Sequence, residues 1–152
     1  MNTCPDCGAH LPDGMSCREL YDQVMAEEYM VMAPRTDYLA AQKLASVCYL
    51  LQHPREHTPK QLAFGVRLLE MVIGEGYSPL DAAEDLLRQF ACQPPLLDNV
   101  CLPDEVDYPL HIANFRRWLQ EPYLDSAYRW SRSIFEQLGC AEASGALHLL
   151  KS

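Results

Sequence analysis

Apolar residues recur at helical spacing along most of the chain from Cys17 onward. Leu20, Tyr21, Val24 and Met25 form one apolar face, which predicts a first helix from Cys17 to about Tyr29. Ser16 stands at its N-cap with Glu19 three residues on, the pattern of a capping box. Pro34 interrupts. Thr36 or Asp37 then caps a second helix, with Ala40, Leu44, Val47, Cys48 and Leu51 on its stripe. Pro54 ends it, because the residue before a proline is pushed out of the α region. Thr58 and Pro59 start a third helix striped by Leu62, Val66, Leu69, Val72 and Ile73, and Gly74 and Gly76 stop it. Ser78, Pro79 and Asp81 open a fourth, whose inward positions are Leu80, Ala83, Leu86, Leu87 and Phe90. A short fifth helix is predicted at about 110–119, with Ile112, Phe115 and Leu119 inward. A sixth runs from about Tyr123 to Leu138, with Leu124, Ala127, Tyr128, Ser131, Ile134, Phe135 and Leu138 on one face and Gly139 as its stop.

Two stretches lack this periodicity. Residues 1–16 carry Pro5, Gly8, Pro12 and Gly14, a density of turn formers that excludes a long helix or strand, so the segment cannot bury a core of its own and something else, a metal being the obvious candidate, must hold it. Residues 91–109 hold four prolines and read as a long irregular connection of the kind that carries function or crosses a face. No strand of convincing length, repeat or low-complexity tract is evident. The pattern predicts an all-α fold of about six helices in a compact bundle with a small N-terminal lobe. A length of 152 residues suits a single domain, divided as 1–16, 17–139 and a 140–152 tail that frays or adds a turn.

Composition narrows the function classes. The formal net charge of −9 opposes non-specific nucleic-acid binding and docking on anionic membranes, both of which need positive charge. No apolar run approaches the ~18 residues of a membrane span. The opening MNTCPDCGAH has neither the basic start nor the apolar core of a secretory signal. Seven cysteines are an odd count, which fits a reduced cytoplasmic protein better than a secreted disulfide scaffold. Cys48, Cys92, Cys101 and Cys140 are scattered singly and read as small buried hydrophobes.

Cys4, Cys7 and Cys17 are different. Cys4-Pro5-Asp6-Cys7-Gly8 is a knuckle, in which two thiolates two residues apart can reach one tetrahedral ion if the backbone between them turns tightly. Cys17 opens the first helix, where the helix dipole favours a thiolate. Three sulfurs need a fourth ligand, and the candidates are His10, His53, His57, Cys48 and Cys101. His53 is preferred, since Pro54 fixes it at the end of the second helix, which should pack on the helix carrying Cys17. His10, in a tight segment, comes second. Zn²⁺ is the expected ion. The C-x-x-C spacing is shared with disulfide oxidoreductases, but no strand precedes it, and the H-x-E element of zinc deaminases is missing.

The CPDCGA opening, Cys17 leading into an acidic, tyrosine-containing helix (Glu27, Glu28, Tyr29), and Tyr49 followed by Gln52, His53 and Pro54 resemble a bacterial domain-of-unknown-function family of small proteins. Its members begin with a CPxCGA knuckle and end their second helix on YxxQHP. The likeness covers about residues 4–90 well and the remainder weakly. Members often place a His and an Asp on the second helix, where this chain has about Gln42 and Val47, and further histidines near the C-terminal helix, where it has His111 and His148. The resemblance implies a retained structural metal and loss of any second, catalytic centre.

No nucleophile elbow, H-E-x-x-H or phosphate-cradling loop is found. Arg116, Arg117 and Trp118, with Arg129, Trp130 and Arg132 beyond, form the one basic-aromatic cluster, which suits a protein partner or an exposed face with half-buried tryptophans. The expectation is a cytoplasmic helical module whose zinc, held by Cys4, Cys7, Cys17 and His53, is structural, in a non-enzymatic binding or regulatory role. The alternative is a metal-dependent enzyme with an open zinc position near His53 and Tyr49. Dimerisation through residues 91–109 or the Arg-Trp cluster is compatible with the sequence but not demanded by it.

Overall fold

The computed structural model describes residues 2–32, 38–92, 97–101, 108–112, 114, 123–143 and 148–151. Five α-helices are present among them: α1 (Cys17–Met32), α2 (Tyr38–Gln52), α3 (Pro59–Leu69), α4 (Pro79–Cys92) and α5 (Tyr123–Ala143). The expected short helix at 110–119 falls mostly outside the described residues, as does the Arg116, Arg117 and Trp118 cluster. No described helix is long and apolar enough to cross a membrane.

The predicted starts are built as their side chains dictate. The Ser16 amide donates to Glu19 Oε2 at 2.8 Å and the Glu19 amide to Ser16 Oγ at 3.2 Å, closing the capping box of α1. Thr58 makes the same reciprocal pair with Gln61 at the start of α3. The Asp81 amide donates to Ser78 Oγ at the start of α4. Each device satisfies amides that the first helical turn leaves without a carbonyl. The end of α3 is wider than an ordinary stop. Residues Glu70–Gly74 continue it as a π-helical turn, the Glu75 amide reaching the Glu70 carbonyl at 3.0 Å. The chain then leaves through Gly76 at φ +81°, a left-handed conformation that glycine adopts without a Cβ clash.

Helix α2 lies at the centre. Ala41, Leu44, Ala45, Cys48 and Leu51 are fully buried, and Tyr38, Val47, Tyr49 and Gln52 are buried on its other sides. A helix buried on most of its circumference is a core helix, so the one-sided stripe expected for it understates its burial, although Leu39 is exposed and Ala40, on that stripe, is only half-buried. α5 packs along it through small residues, with Cys48 Sγ 3.3 Å from Ser131 Oγ, which itself donates to the Ala127 carbonyl. α3 approaches α2 closely at Gly65, where a Cβ would stand 3.1 Å from the tip of Leu50.

Three expectations are corrected. Strands do form: β1 (Asn2–Thr3) pairs antiparallel with β2 (His10–Leu11), and β3 (Leu97–Cys101) with β4 (His148–Lys151). The 91–109 stretch therefore contributes a strand, and the tail returns to pair with it rather than fray. Second, α5 passes through Gly139 to Ala143, because glycine in a helix costs only about 1 kcal/mol and neighbouring turns can carry it. Third, Leu80 and Leu87 are exposed on α4, and Ala82, Ala83 and Leu86 are the buried positions.

Candidate metal centre

The site is assembled by a two-rung hairpin and two helix ends. Asn2 pairs with Leu11 and Thr3 with His10. Beyond this pairing the Cys4 amide donates to the Ala9 carbonyl and the Gly8 amide to the Cys4 carbonyl, both at 2.9 Å. Gly8 turns at φ +81°, which lets a knuckle of only a few residues bring Cys4 and Cys7 to one side. Ala9 and Leu11 are buried beneath it, anchoring the hairpin in the same core as α2. Cys17 enters from the first residue of α1, and His53 from the residue after α2.

These four side chains meet. The Sγ atoms of Cys4, Cys7 and Cys17 and a ring nitrogen of His53 lie within 4.8 Å of one another. Cys4 Sγ is 3.6 Å from His53 Nε2, and Cys7 Sγ is 3.6 Å from Cys17 Sγ. Metal–ligand lengths of about 2.0–2.3 Å give a tetrahedron with edges of about 3.3–3.8 Å, so the contacting pairs already match such edges. All four groups are buried and the cysteines are free thiols, far from the ~2.05 Å of a disulfide. The set could hold a metal ion.

The surroundings orient the imidazole. His53 Nδ1 is 2.8 Å from the Tyr49 carbonyl, which fixes the proton on Nδ1 and turns the Nε2 lone pair toward the sulfurs. The Tyr49 ring stacks on His53 at 4.0 Å between centroids, and Tyr21 stacks on Tyr49 at 4.3 Å. The Tyr49 hydroxyl turns away to donate to Glu56 at 3.2 Å. Asp6 of the knuckle pairs with Arg55, just past His53, stapling the lobe to the end of α2.

Electrostatics point the same way. Hydrogen bonds from Cys17 and Cys7 hold the Cys4 thiol well below its usual range, while the same contacts push Cys17 up. Burial alone would lower His53, but its contacts with Cys4 and Cys7 outweigh that and raise it to about 10. Without a cation Cys4 and Cys17 thus oppose ionising together. A divalent ion reverses this, since a coordinating thiol is deprotonated outright.

Of the other sequence candidates, His10, His57 and Cys48 are elsewhere, and the Cys101 side chain lies outside the described ones. His10 is exposed on β2, 3.4 Å from Thr3 Oγ1. His57 stands apart, half-buried. Cys48 is fully buried with its thiol pushed up to about 12 by that burial, an inert packing group. In the sequence Gln52 stands out only as part of the YxxQHP stretch, and neither His111 nor Tyr108 is assigned to this region. His111 lies against the knuckle, its Nε2 3.8 Å from where a Gly8 Cβ would be. Gln52 donates to the Leu110 carbonyl at 2.7 Å, and Tyr108 is buried. No ligand pattern marks His111 or Tyr108, which approach the knuckle from a stretch distant in sequence. Trp130 is also corrected: it is fully buried, not half-exposed beside Arg129 and Arg132. Its spacing from Ala127, Ile134 and Leu138 carried that signal.

A cleft of about 530 Å³ opens beside the cluster, lined by Cys4, Cys17, Arg18, Glu19, His53 and Glu56 among others. Together these features define a mainly helical protein with a buried Cys3His cluster suited to a metal. The chain belongs to the Family of unknown function (DUF5946), whose family model matches residues 2–139, well past the 4–90 span of clearest likeness. No curated protein matches the chain, and no solved structure does.

Proposed function

We propose that Cys4, Cys7, Cys17 and His53 hold one zinc ion with every tetrahedral position filled, and that the ion ties the N-terminal hairpin onto the helices of a cytoplasmic, bacterial binding or regulatory module. The observation that carries this is the convergence of three thiols and one oriented imidazole from three separate elements. Zinc is favoured by the donor set, since soft thiolates with an imidazole in tetrahedral array suit it. Three thiolates and Zn²⁺ leave the centre at about −1. Four protein donors leave no position for a reactive water, and the Tyr49 hydroxyl is engaged by Glu56, so nothing favours the open site of a metal-dependent enzyme. The non-enzymatic role rests on that closed set.

Metal analysis of the purified full chain tests the reading. The expected result is an equivalent of zinc per chain, retained through gel filtration, with apparent affinity weakening as pH falls because protons compete for the thiols and the imidazole. Folded protein that carries no zinc and takes none up would refute it.

A further inference from the structure

The three sulfurs are not equivalent. Cys4 and Cys17 line the cleft beside the cluster, whereas Cys7 lies behind them, off its lining. Cys4 Sγ is in contact with His53 Nε2, and Cys17 Sγ is in contact with Cys7 Sγ. In the pair of sulfurs that touch at 3.6 Å, Cys17 is therefore the member that lines the cleft, with Cys7 behind it.

We propose that Cys17 is an oxidation site for small hydroperoxides, with Cys7 as its resolving cysteine, so that oxidant converts the pair to a disulfide and dismantles the metal centre. The Cys17 thiolate sulfur attacks one peroxide oxygen. An S–O bond forms, the O–O bond breaks, and the other oxygen leaves as hydroxide, or as alkoxide from an organic peroxide, and takes a proton from solvent. The Cys7 thiolate sulfur then attacks Cys17 Sγ. The S–S bond forms, the S–O bond breaks, and hydroxide leaves and is protonated to water. The sulfurs together lose two electrons and the peroxide gains them, so no other reductant is needed. The two sulfurs, already in contact at 3.6 Å, close to ~2.05 Å as the bond forms. Two of the four donors are then spent, and Cys4 with His53 alone cannot complete a tetrahedral site. This differs from a C-x-x-C oxidoreductase, in which Cys4 and Cys7 would pair.

The metal-release part of this inference rests on the proposed zinc site; the choice of cysteine pair does not. The test uses the full chain as purified, with zinc measured first, then treated with hydrogen peroxide at near-stoichiometric dose. Free thiols and released zinc are followed, and the products are digested on the N-terminal side of aspartate. Asp6, Asp13 and Asp22 place Cys4, Cys7 and Cys17 on separate peptides, so each pairing has its own mass. The expected product joins the peptide starting at Asp6 to the one starting at Asp13, with a pair of thiols lost for each zinc released. A Cys4–Cys7 bridge, a bridge from Cys17 to any other cysteine, or sulfinic acid on Cys17 without a bridge would overturn the proposal. Absence of zinc at the outset with the Cys7–Cys17 bridge still formed would refute the zinc reading and leave the cysteine assignment standing.

Discussion

Chelating the metal from the full chain is expected to melt the N-terminal lobe and lower the stability of the whole protein, reversibly on adding zinc back. Residues 2–16 contain only a two-rung hairpin and two buried apolar side chains beyond the cysteines, Ala9 and Leu11. A segment this small cannot offset the entropy of ordering it, which is about 1–2 kcal/mol per residue for the backbone alone. Structural zinc sites supply on the order of 10 kcal/mol or more of apparent binding free energy at neutral pH, of the right size to close that gap. Ion removal also leaves three thiols packed together, where Cys17 is pushed up because neighbouring sulfurs resist a second thiolate. Hydrogen exchange is the suitable readout. Amides of Cys4 and Gly8, both hydrogen-bonded in the knuckle, should lose protection first, while α2 amides persist. Unchanged protection at residues 2–16 after complete removal would show that the hairpin holds by packing.

Replacing Trp130 by alanine is expected to cost about 3–5 kcal/mol, the range for emptying a large aromatic from a packed core. Trp130 is fully buried on α5, and that helix lies along α2, itself covered on nearly every side. Ser131, next to Trp130 on α5, meets Cys48 of α2 closely, and Ala127 and Ile134 on the same helix are fully buried, which leaves little room for neighbours to collapse into the void. For a chain of this size the loss corresponds to a fall of roughly 10 °C or more in Tm. Metal content should be unaffected, since Trp130 is not a donor, so zinc bound per folded chain separates core loss from loss of the centre. A change in Tm of only a degree or two would mean that the site relaxes around the missing ring.

The clustering of Cys4, Cys7, Cys17 and His53 was legible in the sequence because it follows from short spacings. Cys4 and Cys7 are two residues apart with glycine after them, Cys17 falls at a capped helix start, and His53 is pinned by Pro54 at the end of the neighbouring helix. Caps were equally legible, since Ser16 with Glu19 and Thr58 with Pro59 are local signals satisfied by local bonds. What escaped depends on distant partners. The pairing of 97–101 with 148–151 joins stretches that lie nearly fifty positions apart, and neither has a pattern of its own strong enough to announce a strand. Trp130 was read with its charged sequence neighbours, although its i, i+3 and i+4 relations placed it inward. His111 lies against the knuckle, and Gln52 meets the Leu110 carbonyl, only because the chain folds back over the end of α2.

X-ray absorption at the zinc edge of the purified protein is the measurement that bears most directly on the central claim. The account predicts a four-coordinate ion with three sulfurs at about 2.3 Å and one imidazole nitrogen at about 2.0–2.1 Å, and no oxygen in the first sphere. A shell with fewer sulfurs, or with a water oxygen in place of the imidazole, would contradict a closed site built from Cys4, Cys7, Cys17 and His53.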